Sequence, residues 1–196
     1  DNDHKVKAPA IFGQATYNVS DAVSLTAGGR YTEETTDFFA FTFGSTTPPQ
    51  IGSSKFTAFT PKLGINWQIN PNLFSYVSYT KGFRSGGFNN RDPVTAEVKV
   101  TGYDPEYVNS YELGGKYTTP NNRFRLNVAL FVADYLGIHL ATFIPNTAFT
   151  VTLPAAGAMV KGAELESAWQ INDSFQLYGN ASFSTGKYTE DRKSVV

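Results

Sequence analysis

The 196-residue chain has no cysteine, one methionine and only two histidines. Without cysteine there is no disulfide framework and no thiolate metal site. The absence says little about redox compartment. His4 and His139 lie far apart, with no carboxylates at ligand spacing, so the sequence carries no metal motif. No apolar run approaches 20 residues and the mean hydropathy is −0.27, which excludes a transmembrane helix. It does not exclude a transmembrane barrel, whose apolar residues fall on alternate positions. The net charge of −1 supplies no basic field for nucleic acid. Asp1-Asn2-Asp3-His4 lacks the charged-then-apolar design of a signal peptide. Gly82-Phe83-Arg84-Ser85-Gly86-Gly87 lacks the Gly-Lys-Ser/Thr of a phosphate loop.

What the chain does have is a recurring turn. Trp67-Gln68-Ile69-Asn70-Pro71-Asn72-Leu73-Phe74 is echoed by Trp169-Gln170-Ile171-Asn172-Asp173-Ser174-Phe175-Gln176. Two related stretches are Tyr17-Asn18-Val19-Ser20-Asp21-Ala22-Val23 and Tyr117-Thr118-Thr119-Pro120-Asn121-Asn122-Arg123-Phe124. A tight turn therefore recurs about every 50 positions, the signature of a hairpin array. Proline presets φ, and Asn, Asp and Ser hydrogen-bond their own backbone, so these residue types make turns for distinct reasons.

Between turns the pattern has a period of two. Phe124, Leu126, Val128, Leu130 and Val132 alternate with Arg123, Arg125, Asn127 and Ala129. Phe59, Leu63, Ile65, Trp67 and Ile69 alternate with Thr60, Lys62, Gly64, Asn66 and Gln68. Each segment is a strand with one apolar and one polar face. The runs are about ten residues long, enough for a tilted strand to cross a bilayer. Eight strands are expected, near 8–18, 22–42, 56–70, 73–83, 107–118, 123–136, 157–171 and 175–188. Long loops are expected at 43–55, 82–106 and 136–156, where Ser, Gly, Asn and Pro cluster. Ala156 to Ile171 admits a helical reading, weakened by Gly157 and Gly162. Pro61 inside a strand removes a ladder donor and leads us to expect a bulge.

A soluble sandwich and a membrane barrel both produce this alternation. Three features favour the barrel. The polar face mixes Gly, Asn, Ser, Arg and Glu with the rings of Phe74, Tyr76 and Tyr178, which suits a lumen in contact with other protein. Aromatics gather beside the turns at Tyr17, Trp67, Tyr117, Trp169 and Phe175, as at a membrane interface. Short turns alternate strictly with long loops. The fold expected is all-β: an antiparallel up-and-down transmembrane barrel segment of about eight strands, with short periplasmic turns and long extracellular loops.

Four stretches carry a family resemblance. They are Phe59-Thr60-Pro61-Lys62-Leu63-Gly64, Ser78-Tyr79-Thr80-Lys81-Gly82-Phe83-Arg84-Ser85-Gly86-Gly87-Phe88-Asn89, Tyr111-Glu112-Leu113-Gly114-Gly115-Lys116 and Lys161-Gly162-Ala163-Glu164-Leu165-Glu166. In this order and spacing the chain resembles the TonB-dependent receptors of Gram-negative outer membranes. The resemblance implies a barrel of about 22 strands around an N-terminal plug, of which residues 1–196 are a partial barrel domain. It also implies outer-membrane lipid as surroundings, a TonB-type energy-transducing partner engaged through an N-terminal TonB box, and a small ligand such as a ferric siderophore. The plug, the TonB box and the terminal aromatic of a last strand are absent from the sequence, so the true N-terminus is expected upstream of Asp1. What resembles the family is the wall.

No catalytic constellation, resident cofactor or nucleic-acid partner is expected. Glu164 and Glu166 share a strand face and could suggest an acid/base pair; as lumen carboxylates they more often pair with cross-strand or plug cations. Asn18-Val19-Ser20 and Asn180-Ala181-Ser182 match glycosylation acceptors but carry no meaning in a bacterial barrel. Candidate ligand contacts are Arg84, Asn89, Asn90 and Arg91 in the 82–106 loop, suited to an anionic or carboxylate-bearing ligand. The alternative is that they merely solvate a long loop. Three functions remain open at this point: a receptor wall for TonB-dependent uptake, a passive porin or small eight-stranded barrel, and a soluble β-sandwich binding module.

Overall fold

The computed structural model describes residues 2–40, 48–154 and 157–189, and every regular element among them is a strand. In chain order these are β1 (Asn2–Lys7), β2 (Ala10–Asn18), β3 (Val23–Ala40), β4 (Gln50–Asn70), β5 (Leu73–Arg84), β6 (Gly87–Arg91) and β7 (Val98–Tyr103). There follow β8 (Glu106–Thr118), β9 (Phe124–Leu136), β10 (His139–Phe143), β11 (Thr150–Pro154), β12 (Ala158–Asn172) and β13 (Phe175–Tyr188). The main sheet runs β1-β3-β4-β5-β8-β9-β12-β13, with β2 also on β3. β1 pairs with the upper end of β3 from Thr35 and β2 with its lower part up to Thr32. Ala8-Pro9 breaks this one strand position in two, and the Glu33 amide donates to the Pro9 carbonyl at 3.0 Å. The sheet thus has the eight positions expected from the sequence, each antiparallel to its neighbour in the chain. Its two ends, β1/β2 and β13, do not pair with each other among the described residues.

The recurring turn motif has a recurring geometry. Gln68 Nε2 donates to the Asn70 carbonyl and Gln170 Nε2 to the Asn172 carbonyl, both at 2.7 Å. Asn70 Oδ1 accepts the Asn72 amide at 2.9 Å, and Asn172 Oδ1 accepts the Ser174 amide at 3.0 Å. Both hairpins shift register at the same place, between Gln68 and Asn70 and between Gln170 and Asn172. The first turn uses Ser20 Oγ to accept the Ala22 and Val23 amides. The third uses Asn121 Oδ1 to accept the Arg123 amide, while Asn122 sits at φ 55°. Asx and Ser turns with one left-handed Asn are what this chemistry permits.

The sheet is one layer thick through its centre. On one face the register aligns Leu63, Val77, Leu113, Val128, Leu130, Leu165 and Phe183, with Leu130 and Leu113 about half exposed. Among the described residues nothing covers this face, so the sandwich reading fails: in a sandwich these residues would be the core. The few buried apolar residues, among them Ile144, Val151, Ala58 and Ala133, lie at the long-loop end or on the opposite face. The girdle residues Tyr17, Trp67, Tyr117, Trp169 and Phe175 are all exposed beside the short turns. An exposed apolar band framed by aromatics is the lipid-facing surface of a membrane barrel. The described residues contain no helix long and apolar enough to cross a membrane.

The structure differs from the sequence reading in four places. The 82–106 and 136–156 loops contain the hairpins β6–β7 and β10–β11. Residues 50–55, expected in a loop, extend β4; residues 41–47 and 155–156 lie outside the described residues. β1 (Asn2–Lys7) precedes the first strand expected, at 8–18, whereas the segment from Ala158 is the strand expected there and not a helix. Pro61 makes no bulge: it pairs with Gly29 in unbroken register, and the ladder from β4 to β5 begins only at Lys62. The missing donor falls at the end of a ladder, where its loss costs least.

Candidate functional site

The polar face of the sheet is built for contact with something other than bulk water. Its side chains bond across strands rather than pointing out singly. Tyr76 donates its hydroxyl to Glu112 Oε1 at 2.6 Å, Asn127 donates to Glu166 Oε2 at 3.2 Å, and Asn66 donates to Ser24 Oγ at 3.2 Å. The Tyr76 ring lies over Gly114, where any Cβ would overlap it. This close fit needs a residue without a side chain beneath the ring. Glu166 is therefore a hydrogen-bond partner in the wall, and its face neighbour Glu164 lines the same polar surface.

At the long-loop end the two extra hairpins fold together over this polar face. Phe88 of β6 stacks on Phe38 of β3 at 6.0 Å between centroids. Val100 of β7 and Phe88 both close on Gly52 of β4. Asn89, the buried polar residue of β6, exchanges two hydrogen bonds with Thr152 of β11, each 2.8 Å. The Arg91 guanidinium stacks 3.5 Å from the Phe149 ring centroid, and its Nη1 donates to the Ala96 carbonyl at 2.9 Å. Such paired amide bonds and a cation over an aromatic face hold two hairpins as one body. The turn of β6–β7 is an Asx turn, with Asp92 Oδ1 accepting the Thr95 and Val94 amides. Those two amides, with Lys99 beside it, hold the Asp92 carboxyl below its usual value of 3.8.

The base of the second hairpin is fixed by His139, whose side chain is 3% exposed. Its Nε2–H donates to the Asp104 carbonyl at 2.7 Å, a tautomer fixed by the acceptor, and its backbone amide donates to Glu106 Oε2 at 3.2 Å. The Tyr103 ring packs on it edge-on. Among the described residues there is no group of three His, Asp or Glu side chains placed to hold a metal ion.

The four candidate contacts divide. Asn89 and Arg91 are engaged in the hairpin junction just described. Asn90 occupies the register shift between them. Arg84, at the end of β5, is 72% exposed and touches Glu106 only at 4.0 Å. It borders an open cavity of about 520 Å³ between the upper part of β3 and the chain leaving β5. Sequence reasoning missed the other charged residues of that cavity, Arg30 and Glu34, because they read as ordinary polar-face positions of a strand. It also missed β7 and β11, although Val98-Lys99-Val100-Thr101 and Thr150-Val151-Thr152-Leu153 alternate as strands do.

A single antiparallel layer, apolar on the outside and cross-bonded on the inside, with minimal turns at one end and built hairpins at the other, is part of a transmembrane β-barrel wall. The chain belongs to the TonB-dependent receptor family: the family's model, described as TonB dependent receptor-like, beta-barrel, matches residues 1–195. The family's barrels are outer-membrane β-barrels. Solved structures agree on the fold. The ferric yersiniabactin uptake receptor FyuA of Yersinia pestis superposes with a TM-score of 0.81 at 19% identity, over 97% of this chain and 28% of its own. The alcaligin outer-membrane receptor FauA of Bordetella pertussis gives 0.69 at 24% identity, over 96% of this chain and 31% of its own. The siderophore receptor PiuA of Acinetobacter baumannii gives 0.74 at 18% identity, over 100% and 28%. The chain thus spans less than a third of the length of these structures.

Proposed function

We propose that this chain is part of the wall of an outer-membrane receptor that takes up a scarce small ligand, such as a ferric siderophore, on energy supplied by a TonB-type partner. In this reading an N-terminal plug domain of the same protein fills the barrel and carries the TonB box. The short turns near residues 20, 71, 120 and 172 face the periplasm. Ligand contacts belong to the opposite end, with Arg84 and Asn90 touching the ligand and Asn89 and Arg91 holding the surface that presents them.

One observation supports this most. The hairpins β6–β7 and β10–β11 are stitched together over the polar face by Asn89–Thr152 and Arg91–Phe149. A passive pore has no need of ordered, interlocked loops above its lumen, whereas recognition needs loops held in place. The test is deletion of Ser85 to Thr101 in the protein expressed from its native gene. Uptake of a labelled ligand, chosen from a siderophore panel by growth under iron limitation, should fall at least tenfold while heat-modifiable migration of the barrel persists. Unchanged uptake after the deletion would remove the loop from recognition.

A further inference from the structure

We infer that the outward face of β5, β8, β9 and β12 carries, toward its long-loop end, a docking site for a membrane glycolipid bearing two phosphate groups, held by Lys81 and Lys161. The inference goes beyond the receptor reading and rests only on which face of the wall meets lipid. Its first support is the charge of that face. Among the described residues, the outward positions of β5, β8, β9, β12 and β13 hold the lysines Lys81, Lys161 and Lys187 and the single carboxylate Asp134. The other half of the wall is balanced, with Lys5, Lys7 and Lys55 facing outward beside Asp3, Glu33 and Asp37. There Lys55 bonds Glu33 at 2.8 Å, and Lys5 stands opposite Asp37 in register. Lys81 and Lys161 make no ion pair among the described residues. Each lies on a strand with described neighbours on both sides, so further barrel strands would extend the sheet past its two ends and leave this outer surface bare.

The second support is geometric. Lys81 is eight residues beyond Leu73, where β5 leaves its short turn, and Lys161 is eight residues from the girdle residue Trp169. At about 3.4 Å per residue and a tilt of about 40°, eight residues rise about 21 Å, near the upper edge of an apolar band about 25 Å tall. Lipid headgroups begin at this boundary. Below it, Val77, Leu113 and Leu130 present apolar surface to acyl chains. Around Lys81 the outward aromatics form an upper girdle: Tyr79 lies 5.1 Å from Tyr111 and Phe83 5.5 Å from Tyr107, centroid to centroid. The Lys81 ammonium sits over the Tyr107 ring, 4.8 Å from its centroid. A lysine at a membrane edge ordinarily extends its head toward water; here the ring holds the ammonium against the wall at headgroup depth. The register runs from Lys81 through Asn109 and Asp134 to Met159, two residues from Lys161. Three strand intervals and that offset put the two lysines about 16 Å apart at Cα. Their flexible stems bring both ammonium groups within reach of two phosphates on one disaccharide-sized headgroup. A glycerophospholipid offers a phosphate to only one of them. Asp134 lies beyond Lys161, away from the apolar band, and leaves the rim of these strands net positive.

The test uses the protein purified in detergent from outer membranes of cells expressing its native gene and then stripped of lipid. Native mass spectrometry counts the molecules bound on titration with a bisphosphorylated diglucosamine glycolipid, with the same glycolipid dephosphorylated, and with phosphatidylglycerol. The doubly substituted Lys81→Gln, Lys161→Gln protein should bind the bisphosphorylated lipid at one site about tenfold more weakly or worse, and either single substitution should weaken it several-fold. Lys81→Arg keeps the charge and should keep the binding, while Lys55→Gln, in the balanced half of the wall, should change nothing. Heat-modifiable migration checks that each variant retains its barrel. Equal binding by the double variant overturns the inference. So does equal binding of the dephosphorylated lipid, which would leave apolar contact as the whole attraction. Tighter binding of phosphatidylglycerol overturns the assignment to a glycolipid. Deletion of Ser85 to Thr101 leaves Lys81 and Lys161 in place, so the uptake result and the lipid result stand or fall separately.

Discussion

Replacing Val128 by Arg tests which face of the sheet meets lipid. Val128 lies four residues beyond Phe124, which pairs with the girdle residue Trp169. At about 3.4 Å per residue and a tilt of about 40°, it stands about 10 Å above the short-turn interface. The apolar band of such barrels is about 25 Å tall, so this position is near its middle. Its cross-strand partners, Gly115 and Leu165, offer no counter-charge. An arginine at this depth costs about 2–4 kcal/mol, a factor of about 30 to 1,000 in the folding equilibrium at 1.36 kcal/mol per decade. Asn127, one residue away, points to the polar face between Lys116 and Glu166. Asn127→Arg loses a 3.2 Å bond to Glu166 but can pair with that carboxylate, so its effect should stay within about 1 kcal/mol. Urea unfolding in phospholipid vesicles and band shift on unheated gels would measure both variants. Equal tolerance at the two positions, or greater damage from Asn127→Arg, would refute the orientation of the sheet.

Three further outcomes are expected. Gly114→Ala forces a methyl into the Tyr76 ring and should destabilise the barrel by about 1–3 kcal/mol, with Tyr76→Ala in the same protein recovering most of the loss in a double-mutant cycle. Asn89→Ala leaves the Thr152 amide and carbonyl unpaired; hydrogen exchange should accelerate about tenfold or more in both β6–β7 and β10–β11 while β8–β9 is unchanged. The Asp92 carboxyl, followed by carbon NMR, should titrate below 3.8. Because its folded value is depressed, its support of the β6–β7 turn is complete above the unfolded value and lost as pH falls through the folded one. Hairpin order that faded already at neutral pH would contradict this.

The wall was legible in the sequence because membrane-strand physics is local and repetitive. Val128, Leu130 and Val132 must all face one way, and Trp67-Gln68-Ile69-Asn70 repeats at Trp169 because the same turn is closed by the same Gln and Asn bonds. The upper end was less legible because its order comes from contacts remote in sequence. Asn89 finds Thr152 across 63 residues, and Arg91 finds Phe149, pairings that no local pattern announces. Arg84 was recognisable as an open cation, but its cavity partners Arg30 and Glu34 belong to β3, some 50 residues earlier, and emerge only once the sheet is assembled. Pro61 misled for a related reason: a proline's cost depends on which ladder edge it faces, and that is settled by where β5 stops pairing.

The repeated Gln-x-Asn closure gives this wall the character of a modular frame. Two hairpin junctions, β4–β5 and β12–β13, carry the same register shift and the same side-chain bonds at their base. Strand alignment at those junctions is set locally, independent of whatever lies at the far ends of the strands. Material at the far end can then be lengthened, shortened or exchanged without resetting the alignment below. Such a frame leaves the far ends free to change in length without moving the strands, and it offers an engineer that freedom: a foreign loop grafted beyond Arg84 inherits a scaffold whose register is fixed from beneath.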